Sequence, residues 1–325
     1  MSQYCGSVSE TFAAASAAEL AVVERNGFVE SRHIGSAVVL DPEGNPVRSL
    51  GDAAAPILPR SSLKPMQALA VLATGAMLEG ERLAIATASH SGSDRHVGIV
   101  RDILDSARLN ERALQCPPAR YRGSDPERIR MECSGKHAAM LLACVTAGWD
   151  TAGYLAPDHP LQVQIRELVE RFIGTRVTAT AVDGCGAPMF AMSLDGLAKA
   201  IHRIGTSSES SPFALHRNAG ALVRAVREHP WAIAGEGRPD TVLIERLGIF
   251  AKTGAEGVLV MVAPNGTTVA VKILDGSARA GAVVAVQLLE QEGALRSADV
   301  AATLAELPLS VRGGDAIVGA IRPAF

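Results

Sequence analysis

The β-patterned segments of this chain sit at its two ends, with helical patterns between them, and that order constrains the fold most. Near the start, Val22 and Val23 lead to Asn26-Gly27, a tight-turn signal, and residues 28–33 read as the return strand. Residues 36–40 and 46–50 flank Asp41-Pro42-Glu43-Gly44-Asn45 and read as a second hairpin. Near the end, residues 257–263 and 267–273 surround Pro264-Asn265-Gly266, and residues 316–321 read as a final strand. The middle carries apolar residues at helical spacing, with stops at Gly75 and Gly148. Distant β segments can share one antiparallel sheet while the intervening helices form a lobe. The expectation is therefore an α+β fold: one unit over residues 18–325, a helical lobe near residues 92–230, and a poorly ordered start over residues 1–17.

Bulk properties narrow the function. With 48% hydrophobic and 20% charged residues, the chain is globular. A formal net charge of −3 gives no electrostatic case for nucleic acid or an anionic membrane. No apolar run is long enough to span a bilayer. Residues 1–18 lack a basic start and a continuous apolar block, so they do not read as a signal peptide, and a cytoplasmic location is expected. Five cysteines are too few, and odd in number, for a disulfide scaffold.

Chemistry concentrates in a few short motifs. Ser61 and Lys64 stand three apart at the head of an apolar run, residues 68–73. On a helix they share a face, which puts a nucleophile beside a possible base. The bland reading is a capping serine and a solvated lysine. Against it, a lysine before Pro65 at the head of so apolar a helix is no ordinary surface filler. Far downstream comes Lys252-Thr253-Gly254. Ser-x-x-Lys followed by Lys-Thr-Gly is the element set of serine β-lactamases and penicillin-binding proteins. The third element, Ser-x-Asn, is not evident; Ser89-His90-Ser91 lies in the right region to replace it.

The cysteines are ambiguous by spacing. Cys133 and Lys136 are three apart, and Cys185 lies in Asp183-Gly184-Cys185-Gly186. Two thiolates with nitrogen or oxygen donors suit zinc, yet there is no C-x-x-C, so buried, inert thiols are the simpler account. Asp183 is a turn-former or a carboxylate for a substrate ammonium. His137 ranks first among the histidines because it follows Ser134-Gly135-Lys136; Cys5, Cys116 and Cys144 have no such context.

Together, Arg60-Ser61-x-x-Lys64-Pro65, Ala88-Ser89-His90-Ser91-Gly92, Cys133-Ser134-Gly135-Lys136-His137, Asp183-Gly184-Cys185-Gly186 and Lys252-x-Gly254-Ala255-Glu256-Gly257 resemble the asparaginase II family of serine–lysine L-asparaginases. That family is related in fold to serine β-lactamases and glutaminases. The resemblance runs from about Ala18 to Phe325. It implies hydrolysis of L-asparagine to L-aspartate and ammonia, with Ser61 paired to Lys64 and Ser89 paired to Lys252. It implies zinc held by Cys133, Lys136 and Cys185, with Arg60, Asp183 and His137 binding substrate, and a homodimer. Met131-Glu132 departs from the small polar residues expected before the first cysteine. The competing readings are a β-lactam, penicillin-recognising or glutaminase-type amidohydrolase, and a non-catalytic asparagine sensor.

Overall fold

The computed structural model describes residues 10–325. Residues 1–9, and with them Cys5 and half of the segment expected to be poorly ordered, lie outside the described residues. Within residues 10–17, Ala14–Ser16 form a short 3-10 turn and Phe12 is buried in the core.

The main sheet is antiparallel throughout and draws its strands from both ends of the chain. The N-terminal strands are β1 (Ala18–Arg25), β2 (Phe28–Leu40) and β3 (Pro46–Leu50). Three more form a small second sheet, with β6 between the other two: β4 (Pro56–Ile57), β5 (Ala179–Val182) and β6 (Pro188–Ser193). The C-terminal strands are β7 (Phe250–Gly254), β8 (Val258–Val262), β9 (Thr268–Ile273), β10 (Ser310–Gly313) and β11 (Ala316–Pro323). The order across the main sheet is β10-β11-β1-β2-β9-β8-β7, with β3 also paired to β2. Asn26 and Gly27 both take positive φ, 47° and 80°, as the tight β1–β2 turn requires. The expected α+β architecture is the observed one.

The helices are α1 (Lys64–Ala73), α2 (Gly80–Ala86), α3 (Asp94–Ser106), α4 (Ser134–Ala147) and α5 (Pro160–Ile173), then α6 (Leu194–Gly205), α7 (Ala214–Glu228), α8 (Pro239–Leu247), α9 (Gly281–Gln291) and α10 (Ser297–Glu306). α6 packs on β2, β8 and β9, while α9 packs on β8, β9 and β11. Every residue of β8 and β9 is buried, so these strands are uninterrupted in burial rather than alternating. α1 is buried along nearly its whole length between α4, α5 and α7.

One local expectation is corrected. Residues 28–40 form one long strand, not two. A further strand, β6, opens on Pro188, and Met189 to Met192 are core residues. α5 is capped by His159, whose Nδ1 accepts the Leu161 N–H at 3.1 Å. Before α9 the Asp275 carboxylate accepts the Ser277 N–H at 2.8 Å, and α10 follows α9 as a further helix.

Candidate active site

The site forms where the 3-10 turn Arg60–Leu63, entering α1, packs against β7. That approach explains Gly254: a Cβ there would lie 2.5 Å from the Pro59 carbonyl oxygen. Arg60, just before Ser61, takes φ of +51°, a costly conformation for a non-glycine residue. It is held by Nε donating to Asp183 Oδ1 at 2.8 Å.

Both bland readings of the first motif fail. Ser61 makes no side-chain cap to α1, and Lys64 is only 1% exposed. Lys64 Nζ donates to the Ala88 carbonyl and, at 2.9 Å, to Ser89 Oγ. Lys252 Nζ donates to the same Ser89 Oγ at 3.0 Å and to the Thr253 carbonyl at 2.7 Å. Ser89 therefore sits between two lysines. The Ser89–Lys252 contact matches the expected pair. For the other pair, Lys64 reaches Ser89, and the Ser61 hydroxyl has no hydrogen-bond partner among the described residues. The Ala88 carbonyl draws the Lys64 amine across to the segment that carries Ser89.

That segment is itself pinned. The N–H groups of Ser89 and Ser91 donate to the carbonyls of Ile233 and Ala234, both at 2.9 Å, and the His90 N–H donates to the Glu132 carbonyl at 3.1 Å. His90 stacks on His96 at 4.9 Å and contacts Ser134 Oγ at 3.0 Å. Burial, with His96 and Lys64 nearby, holds it well below the usual histidine range, so it serves as neutral scaffolding. Ser61 and Ser89 open onto one cavity of about 350 Å³, whose wall also includes Ser91, Glu132, Arg238 and Thr253. Burial lowers the Lys252 amine to about 8, helped by the Lys64 charge and opposed by Asp240.

The sulfurs form a separate buried cluster. Donor atoms of Cys133, Asp183 and Cys185 fall within 4.8 Å of one another. Lys136 Nζ donates to Cys185 Sγ at 3.0 Å. The Cys185 thiol stabilises a Cys133 thiolate far below the usual thiol range, against the effect of burial and with the help of Lys64 and Lys136. Burial opposes charge on Lys136, but the neighbouring sulfurs outweigh it and keep the amine protonated. Asp183 is pushed up by burial and brought back below the usual carboxylate range by Arg60 and Lys136. Two soft donors and a carboxylate in one buried pocket suit a zinc ion, which the Lys136 amine could join only on losing its proton.

His137 is fully buried. Its Nδ1 contacts Tyr154 Oη at 2.6 Å, while its Nε2 has no partner among the described residues. Burial and the Lys136 and Lys64 charges hold it well below the usual histidine range. Arg60, Asp183 and His137 do not line the 350 Å³ cavity. The reading of motifs missed Asp240, whose one signal was an aspartate following Pro239 at a helix start, and Tyr154, which had none.

A serine held by two buried lysines, with a second serine on the same cavity, is an arrangement suited to serine–lysine acyl transfer. The chain belongs to the L-asparaginase II family, whose model matches residues 21–323. No curated protein matches the chain. Among solved structures, Mglu in its native form aligns at 14% identity and a TM-score of 0.46, over 80% of this chain and 64% of its own. The chain thus spans less than two thirds of that protein. The covalent complex of Bacillus subtilis glutaminase YbgJ with 5-oxo-L-norleucine aligns at 12% identity and a TM-score of 0.44, covering 87% of this chain and 94% of its own. A β-lactamase from Mycobacterium bovis aligns at 14% identity and a TM-score of 0.43, covering 79% and 94%.

Proposed function

We propose that the protein hydrolyses the side-chain amide of L-asparagine to L-aspartate and ammonia through an acyl-enzyme. Ser61 Oγ attacks the amide carbon. Its proton passes by way of Ser89 to a lysine amine, Lys252 being the better acceptor because burial lowers it to about 8. The C–N bond breaks, the nitrogen takes a proton and ammonia leaves. Water then adds to the ester, releasing aspartate and restoring the serine. Arg60, adjacent to Ser61 in the chain, pairs with Asp183 outside the cavity lining, and the pair braces the Ser61 turn. The observation that carries the reading is the convergence of Lys64 and Lys252 on Ser89, which shares a cavity with Ser61.

Cys133, Cys185 and Asp183, with Lys136 against them, are proposed to hold zinc. When bound, zinc supplies positive charge that orients polar substrate groups. The same reading makes the protein a cytoplasmic homodimer; no described helix is long and apolar enough to cross a membrane.

A second reading follows from the two-lysine grip itself: Ser89 is the attacking serine and Ser61 the relay. A diazoketone analogue of asparagine, followed by peptide mapping, identifies the modified residue. Ammonia release from asparagine and glutamine, and nitrocefin turnover, test the substrate. Adduct on Ser61 and ammonia from asparagine are expected. Nitrocefin turnover without ammonia release overturns the proposal in favour of a β-lactam substrate, and asparagine binding without ammonia favours a sensor.

A further inference from the structure

Asp240 has no role in the reaction above. It lies in the first turn of α8 and is only 6% exposed. An aspartate at a helix start ordinarily faces water and stabilises the helix dipole. This one faces inward. Oδ2 accepts the Thr253 N–H at 3.0 Å, and Oδ1 accepts the Thr253 hydroxyl. Oδ2 also lies 3.8 Å from Lys252 Nζ. The Thr253 carbonyl accepts from Lys252 Nζ at 2.7 Å, and the same Nζ reaches Ser89 Oγ at 3.0 Å. The carboxylate thus grips the residue next to Lys252 at its amide and its side chain, and offers its charge to the amine.

A buried carboxylate is costly unless hydrogen-bonded and paired, and Asp240 is both. We propose that Asp240 is a positioning residue that fixes Thr253 and holds Lys252 Nζ against Ser89 Oγ. Its catalytic consequence rests on the role given to Lys252 above, but the placement of the amine does not. Four groups act on Lys252: Asp240 from α8, Lys64 from α1, and Cys133 and Glu132 from the segment entering α4. Asp240 and the last two favour its charge, while burial and Lys64 oppose it. Losing the Asp240 charge therefore lowers the amine further.

The test is Asp240→Asn, which keeps shape and one acceptor but removes the charge. A kcat loss of about 10- to 100-fold is expected, of the size seen when outer positioning partners are lost, with KM nearly unchanged. The acid limb of the pH–rate profile should move to lower pH. Asp240→Glu keeps the charge but misplaces it, and should lose rate with the limb nearly unmoved. A crystal structure of Asp240→Asn should show Lys252 Nζ beyond hydrogen-bond distance of Ser89 Oγ. Should Asp240→Asn fail to fold, the Asp240→Glu crystal structure takes its place, with the same withdrawal expected. An amine still bonded to Ser89 overturns the proposal, as does an Asp240→Asn rate loss with an unmoved limb, which marks a merely structural aspartate. If wild-type protein releases no ammonia from asparagine yet Lys252 withdraws in the variant, the asparaginase reading fails and the positioning role stands.

Discussion

Ser89 accepts hydrogen bonds from lysines lying 25 and 163 positions away, so its chemistry is assembled by the fold. A hydroxyl between two such donors cannot lose its proton unless one amine is neutral. Lys252, lowered to about 8 by burial, meets that need. Its folded pKa lies below the ordinary 10.5, so the working neutral form gains population as pH rises through about 8. Asparagine hydrolysis should therefore climb across that range, and a flat profile through neutral and alkaline pH contradicts Lys252 as the base. Lys252→Met should lower kcat by about 10²- to 10⁴-fold, the usual contribution of a positioned base. The pairing of Lys64 with Ser89 was not legible in the sequence. Spacing puts Lys64 near Ser61, but only the tertiary approach of the Ala88 carbonyl shows where the amine is drawn. The metal reading had the same limit, since Cys133 and Cys185 lie far apart in sequence and meet only in the fold.

At the scale of elements, the site depends on the turn before α1 lying directly against β7. Gly254→Ala would place a methyl 2.5 Å from the Pro59 carbonyl and push the Ser61 turn away from the strand. An activity loss of about 10²-fold is expected, the usual cost of an ångström-scale misplacement. Wild-type activity in this variant contradicts the role given to the contact. Leu69, fully buried in α1, is a stability position. Leu69→Ala should cost about 2–5 kcal/mol, read from the urea midpoint. Six of the eight main-sheet strands, all but β7 and β10, and most helices were legible because turn chemistry and apolar period agreed at Asn26-Gly27, Pro264-Asn265-Gly266 and along α4. Strand β6 was hidden because a proline opens it and burial on both faces erases alternation. Asp240 looked like any first-turn aspartate, because sequence does not say which way a helix start faces.

The whole molecule brings strands from both termini into one sheet and lays the turn before α1 against its β7 edge. The fold buries the amines and thiols: burial lowers Lys252, while neighbouring groups outweigh burial at Lys136 and Cys133. It also gives the sulfur cluster a dry pocket suited to a metal. Purified protein should carry about one zinc per chain, lost in Cys133→Ser, and elemental analysis checks this directly. A metal-free wild-type protein would show the cluster to be redox or structural thiols instead. In solution the protein should migrate at twice its chain mass of 33.8 kDa.

The proposed mechanism puts the acyl group of asparagine on Ser61. Ammonia release from L-asparagine by the wild-type protein and by Ser61→Ala tests it most directly. The account predicts steady release by the wild type and a loss of at least about 10³-fold in the variant. Near wild-type release by Ser61→Ala would contradict it.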